Sequence, residues 1–214
     1  MEKAIILDDS LNKEINIEKY DFIYIGSEFC FKKIPSPDTI KKINHKNIVL
    51  MTPLLSDNSL KKIKKILDLI KISEIVINDL GLLEYLIEKH PEIKINIGRV
   101  LATSLSYSLG FGKVKETITK HINAIEIDNL IEKNIDLKNK KLHFHYPFSY
   151  LTHSLICHFK IDNKCNCFTS YTKLASAEFS NIYAKQNAYF LCEKDISSNT
   201  LIKRMVYHRF SLNI

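Results

Sequence analysis

The sequence predicts an α/β fold on a parallel sheet, TIM-barrel-like and either small or incomplete. Three observations carry this prediction. Short runs rich in Ile, Val, Leu and Tyr recur at roughly 25-residue spacing, and amphipathic helical segments fill the gaps between them. Several of the runs are almost continuously apolar, as strands covered on both faces require. Strand–helix–strand crossovers wind in one hand, so such repeats build a parallel sheet, open or curled. The 214 residues suit one domain and fall short of the about 250 that a full barrel of this type uses. The expected organisation is therefore a single βα-repeat domain over 1–214, with a cysteine-bearing loop at 153–170 and a C-terminal extension from about 190.

The strands are expected at Ala4–Leu7, Phe22–Ile25, Ile48–Met51, Glu74–Ile77, Ile93–Ile97, Ala124–Ile127 and Leu142–Tyr146. Between the third and fourth, "SDNSLKKIKKILDLIK" puts Leu60, Ile63, Ile66, Leu67 and Ile70 on one helical stripe. Its lysines 61, 62, 64 and 65 then face water, and Asp57 or Ser59 can cap its first turn. "LGLLEYLIEKHPE" is a second helix, stopped by Pro91, and "GKVKETITKHI" a third. Further on, "NAYFLCEKD" has the pattern of one more strand, while the tail "TLIKRMVYHRFSLNI" leaves its state open.

Bulk properties narrow the function classes. No apolar run approaches the roughly 20 residues that cross a bilayer, so no membrane insertion is expected. "MEKAIILDDS" lacks the basic start and long apolar middle of a secretory signal, which points to the cytoplasm. Net charge is +7, but the only arginines are Arg99, Arg204 and Arg209, whereas base and phosphate recognition favours the planar arginine fork. RNA as a partner is thus not supported by charge alone.

Five cysteines occur, and three of them, Cys157, Cys165 and Cys167, fall within "CHFKIDNKCNC". In a reducing compartment such clustering suits metal binding or redox chemistry better than structural disulfides. Parallel βα folds gather their chemistry at the carboxyl ends of the strands. Cys30 closes "FIYIGSEFC" just past the second strand, and the late group follows "KLHFHYPFS", so both belong to that rim. Four thiolates there would suit zinc or an iron–sulfur centre, although the spacing matches no common zinc-finger pattern. Buried inert thiols are the competing interpretation, and for Cys192, inside an apolar run, the favoured one. His143, His145, His153 and His158 crowd the same neighbourhood. On a strand, His143 and His145 share a face, and His145 is a candidate acid–base group. Glu28 and Asp79 are the carboxylate candidates, with Glu28 equally able to pair with Lys32 or Lys33. There is no G-x-S-x-G elbow and no H-E-x-x-H helix, so hydrolysis is the least supported class.

Four segments carry a family resemblance. "YIGSEFCFKK", "VINDLGLLEYL" with Asp79 and Gly81, "INIGRVL" and "LHFHYPFSYLTHSLICHF" resemble successive strand ends of the collagenase-like (U-thirty-two) peptidase family, especially its UbiV-type branch. Ala102 stands where that family carries an asparagine. The resemblance implies a TIM-barrel-like domain and a [4Fe-4S] cluster on Cys30, Cys157, Cys165 and Cys167. It further implies an accessory role in oxygen-independent hydroxylation, of the ubiquinone ring or of RNA bases, beside a second family member or redox partner protein. A zinc-stabilised binding module, using the late cysteines with His158 or His153, is the alternative.

Overall fold

The computed structural model describes residues 1–7, 16–107, 120–132, 140–154, 160–161, 164–165, 171–174, 181–193 and 199–208. Seven strands follow the expected segments closely: β1 Glu2–Ile6, β2 Phe22–Gly26, β3 Ile48–Met51, β4 Glu74–Ile77, β5 Lys94–Ile97, β6 Ile122–Ile127 and β7 Lys141–Tyr146. Six more lie beyond them: β8 Phe148–His153, β9 Lys160–Ile161, β10 Lys164–Cys165, β11 Thr172–Lys173, β12 Ile182–Lys185 and β13 Ala188–Cys192. The last, β14 Ile202–His208, inserts between β7 and β1, parallel to both, and closes the barrel with eight parallel strands. The barrel is therefore complete rather than partial. The stretch expected as a C-terminal extension from about 190 supplies its eighth strand.

Side chains alternate across the barrel wall. Ile23, Leu50, Ile75, Ile95 and Leu142 point outward into a core shared with the covering helices. Among these helices are α1 Pro37–Lys41, α2 Asp57–Leu69, α3 Leu80–Lys89, α4 Arg99–Tyr107 and α5 Asn129–Glu132. The stripe expected on α2 is present, with Ile63 and Leu67 buried and the lysines turned outward. Its cap is Ser56, whose hydroxyl accepts from the Ser59 amide at 3.4 Å; Asp57 is already the first helical residue. The helix expected at 112–122 falls mostly on residues outside the description.

The inward face is only partly apolar. Ala4, Ile6, Tyr24, Val49, Met51, Val76 and Val206 form one cluster there. The buried polar positions of the barrel strands are Glu74, Asn96, Glu126, His143, His145, Arg204 and His208. A polar barrel axis is stable only if each of these groups finds a partner, since an unpaired buried charge or dipole costs several kcal/mol, of order 2–7 for a neutral group.

Above the carboxyl end sits a second sheet, antiparallel, in the order β11-β12-β13-β8. It places the tight turn between β12 and β13 over the mouth of the barrel, where Lys185, Gln186 and Asn187 are all buried. Gln186 carries the positive φ of 56° that a two-residue hairpin of this hand demands. Among the described residues, no helix is long and apolar enough to cross a membrane.

Candidate functional site

The carboxyl mouth gathers ionisable groups from five strand ends. Just past β2 come Ser27 and Glu28, past β5 comes Arg99, and past β6 comes Asp128; β7 and β14 contribute His145 and His208. Arg99 and Glu28 form a buried fork. Arg99 Nη2 and Nε donate to Glu28 Oε2 at 2.7 and 3.0 Å, and the Arg99 amide donates to Oε1 at 2.9 Å. Arg99 Nη1 also donates to the Phe148 carbonyl at 2.9 Å and lies 3.6 Å from Asp128 Oδ2. Asp128 in turn accepts from the amides of Leu130, Ile131 and Tyr150. One guanidinium thus ties four strand ends together.

Burial alone would push the Glu28 carboxyl up, but the charge and hydrogen bonds of Arg99, with His145, outweigh it and hold Glu28 below the usual carboxylate range. For Asp128 the balance reverses: burial dominates and raises it, with Arg99 and the amide donors offsetting only part. The difference follows from geometry, because the fork is spent on Glu28.

Along the axis, Glu126 is the hub. Its Oε1 accepts from Tyr24 Oη at 3.0 Å, from His143 Nδ1 at 3.0 Å and from Asn96 Nδ2 at 3.2 Å, while Oε2 accepts from His145 Nε2 at 2.8 Å. Asn96 Nδ2 also reaches Glu74 at 2.6 Å, and Glu74 accepts both terminal nitrogens of Arg204. Arg204 lies flat over the Phe22 ring, 3.4 Å from its centroid. Burial raises the Glu126 carboxyl, yet the two histidines overcompensate and hold it far below its ordinary value.

With Glu126 ionised, His145 donates to it through Nε2, and in a neutral ring its Nδ1 then accepts. The neighbour at 2.8 Å is His208 Nε2, which must therefore donate. His208 Nδ1 is then left to accept from Tyr171 Oη at 2.5 Å. Only one arrangement of neutral rings satisfies every group, and it runs Tyr171 to His208 to His145 to Glu126. Burial, reinforced by Arg99, His145 and Lys185, drives the His208 imidazole well below its ordinary value, so it is neutral at physiological pH.

The turn between β12 and β13 seals this chemistry. Ser27 Oγ accepts from the amides of Phe29 and Cys30, both at 3.0 Å, which orients its own proton outward to Gln186 Oε1 at 2.5 Å. Lys185 holds its ammonium 4.6 Å from the centre of the Tyr171 ring, whose other neighbours include Phe148, stacked on it at 3.6 Å. Beneath the turn a cavity of about 20 Å³ remains, lined by Ser27, Glu28, Arg99, Gln186 and His208 among others. That is room for one water.

Of the residues the sequence singled out, Glu28 and His145 are at this mouth, but their partners differ from those expected. Glu28 pairs with Arg99, 71 positions away, rather than with Lys32 or Lys33. Asp79 is elsewhere in role: it caps α3 through the Leu82 amide at 3.0 Å and holds the Leu55 amide at 3.3 Å. Cys30 stands on the carboxyl rim, half-buried, at the start of the Phe31–Lys33 turn. Cys157, Cys167 and His158 lie outside the described residues, and of Cys165 only the backbone is described, paired with Lys160. Cys192 packs against the Phe148–Phe190 aromatic cluster. His153 is hydrogen-bonded to Tyr150 Oη at 2.6 Å, and burial pushes it below its ordinary value. Among the described residues, no group of three or more His, Cys, Asp or Glu side chains is placed to hold a metal ion.

Sequence reasoning passed over Ser27, Arg99, Glu126, Asp128, Tyr171 and His208. Glu126 was discoverable: an acid inside "AIEI", a strand with apolar neighbours on both sides, has no solvent face to occupy. Arg204 within "IKRMVYH" carries the same signal. With Arg99 and Arg204 both buried in ion pairs, neither is available to a nucleic acid.

A pH dependence follows from the two depressed carboxyls. Glu28 and Glu126 have folded values below the ordinary 4.5, so their stabilisation is complete above that pH and is lost as pH falls through the folded values. The urea midpoint should accordingly decline steeply below about pH 4.5, and replacing Glu126 with Gln should shallow that decline. An acid limb of unchanged steepness in the Glu126→Gln variant would remove Glu126 from this role.

Comparison of the chain with family models, with curated proteins and with solved structures gives no match at a meaningful level.

Proposed function

We propose that this chain is an iron–sulfur accessory protein serving an oxygen-independent hydroxylation, with Cys30, Cys157, Cys165 and Cys167 as the cluster ligands. The observation that supports the accessory role is the filled barrel: its axis is occupied by paired side chains, and its mouth is stoppered down to about 20 Å³. A substrate of the size of a quinone ring or a nucleobase has no room on the axis. Chemistry is then left to the rim, where Cys30 stands.

Of the four proposed ligands, Cys30 is the one whose side chain is described. Cys30 is half-buried on the carboxyl rim, at the start of the Phe31–Lys33 turn, and as a thiolate it would ligate iron. The backbone of Cys165 pairs antiparallel with Lys160, and Cys157 and Cys167 are assigned from the family resemblance alone. Bound, the cluster would supply one-electron chemistry. The chain's own part is to hold Cys30 in place just past β2, through the Ser27 hydroxyl that accepts from the Cys30 amide.

Anaerobic purification with iron and sulfide assay tests the reading. About four irons and four sulfides per chain are expected, lost in Cys30→Ser. Protein that remains free of iron after reconstitution would refute it, and stoichiometric zinc retained by Cys30→Ser would favour the zinc-stabilised module instead.

A further inference from the structure

The buried chain of Tyr171, His208, His145 and Glu126 ends directly beneath the turn that seals the barrel, and nothing in the cluster proposal uses it. We propose that the Lys185–Asn187 turn is a pH-released stopper: proton uptake by His208 drives the turn off the mouth and uncovers Ser27, Glu28 and His208 to solvent.

The geometry carries this in three steps. First, a neutral His208 has one donor and one acceptor nitrogen to offer His145 Nδ1 at 2.8 Å and Tyr171 Oη at 2.5 Å. A second proton makes both nitrogens donors, so the neighbour that donates to His208 in the closed state loses its acceptor. Second, the groups facing His208 are dominated by positive charge. From α4 comes Arg99, from β12 Lys185 and from β7 His145; the side of β1 offers Ile6, and Phe148 meets the ring edge-on. Glu28 is spent on Arg99, and Glu126 is already shared by His143 and His145. Third, among the described residues Lys185 is the cationic neighbour carried by the upper sheet rather than by the barrel wall or its helices. Its ammonium sits over the ring of Tyr171, the residue bonded to His208, and it belongs to a turn with a non-glycine residue at φ 56°.

Among the described residues, both central positions of the turn are held by hydrogen bonds. Gln186 Oε1 accepts from Ser27, the Ser154 amide donates to the Asn187 carbonyl at 2.9 Å, and Asn187 Nδ2 donates to the Ser154 carbonyl. In the open state His208 regains water and its ordinary proton affinity. Its folded value is depressed, so the closed state binds fewer protons, and opening is favoured progressively as pH drops below 6.5.

Hydrogen exchange of the intact chain reads this directly. The Ser154 amide reports on the turn; the Thr52 amide, bonded to the Val76 carbonyl at 2.9 Å, reports on the barrel. Between about pH 7.5 and about pH 5.5 the protection factor of Ser154 should fall about tenfold, as one proton per opening requires, with that of Thr52 unchanged. In His208→Gln the fall should vanish. Unchanged protection at Ser154, a fall shared equally by Thr52, or a fall that persists in His208→Gln would each overturn the proposal. Should that variant not fold, the wild-type ring titration decides: by NMR, His208 must take up its proton below pH 6.5 and together with the full loss of Ser154 protection, and a ring that titrates while Ser154 stays fully protected overturns it. Iron content plays no part in these outcomes, so the proposal stands or falls apart from the cluster.

Discussion

Replacing Glu28 with Gln is expected to cost about 3–5 kcal/mol of folding stability, the usual penalty for removing one partner of a fully buried ion pair. The Arg99 guanidinium is entirely enclosed and spends three of its hydrogen-bonding contacts, two from the side chain and one from the amide, on this one carboxylate. The glutamine amide could still accept, but it would leave the guanidinium charge with only Asp128, 3.6 Å away and held by three backbone amides of its own. Urea unfolding followed by circular dichroism gives the midpoint, and the slope should stay constant if the loss is one of stability alone. The double variant Glu28→Leu/Arg99→Met supplies the diagnostic comparison. With both charges of the fork gone, the buried guanidinium is no longer left without its main partner, so the double variant should be more stable than the single one. A double variant that is the less stable of the two would mean that the pair contributes through packing rather than charge.

Gly26→Ala should be nearly as damaging, for reasons of backbone geometry. At the end of β2 the chain turns with φ 89° to aim Ser27 and Glu28 into the mouth, a conformation that L side chains adopt only with strain of about 1–2 kcal/mol. A Cβ there would also lie 2.5 Å from the Met51 carbonyl oxygen, a backbone atom of the neighbouring strand that cannot swing aside. Overpacking of this kind adds roughly 1–3 kcal/mol, for a total near 3 kcal/mol and a fall in Tm of about 10 °C. Differential scanning calorimetry measures it. Gly81→Ala is the internal control: it lies in α3, where the added carbon would meet Asp79 Oδ1 at 3.2 Å, and the change in Tm should be small. Equal losses at the two positions would remove the special status of Gly26.

The two effects converge on one site. Gly26 sets the direction in which the chain leaves β2, Ser27 receives the amides of Phe29 and Cys30, and Glu28 closes on Arg99. Five consecutive positions, 26 to 30, thereby fix a hydrogen-bond donor aimed at the stopper, an ion pair that ties the strand ends, and the rim cysteine. A change at any of them is felt by the others through this short, buried segment.

Local pattern was enough for the barrel wall. The runs around Ile23, Leu50, Ile75 and Ile95 are apolar because parallel strands in a covered barrel have no solvent face, and that requirement is written into consecutive residues. The stripe on α2 is equally local, whereas its cap is Ser56 rather than Asp57 or Ser59. The eighth strand was not readable in this way. "IKRMVYH" alternates charge with apolar residues, which suggests a half-exposed edge, whereas Arg204 and His208 in fact point into the axis.

What the sequence by itself determined is therefore the repeating element, the direction of winding and the rim to which Cys30 and Glu28 belong. What only the tertiary structure decided is which charges meet. Arg204 finds Glu74 across 130 positions, Glu28 finds Arg99 across 71, and His208 finds His145 across 63. The physical reason is that desolvated polar groups are stable only in pairs. No local pattern encodes a partner that arrives only when the last strand closes the barrel.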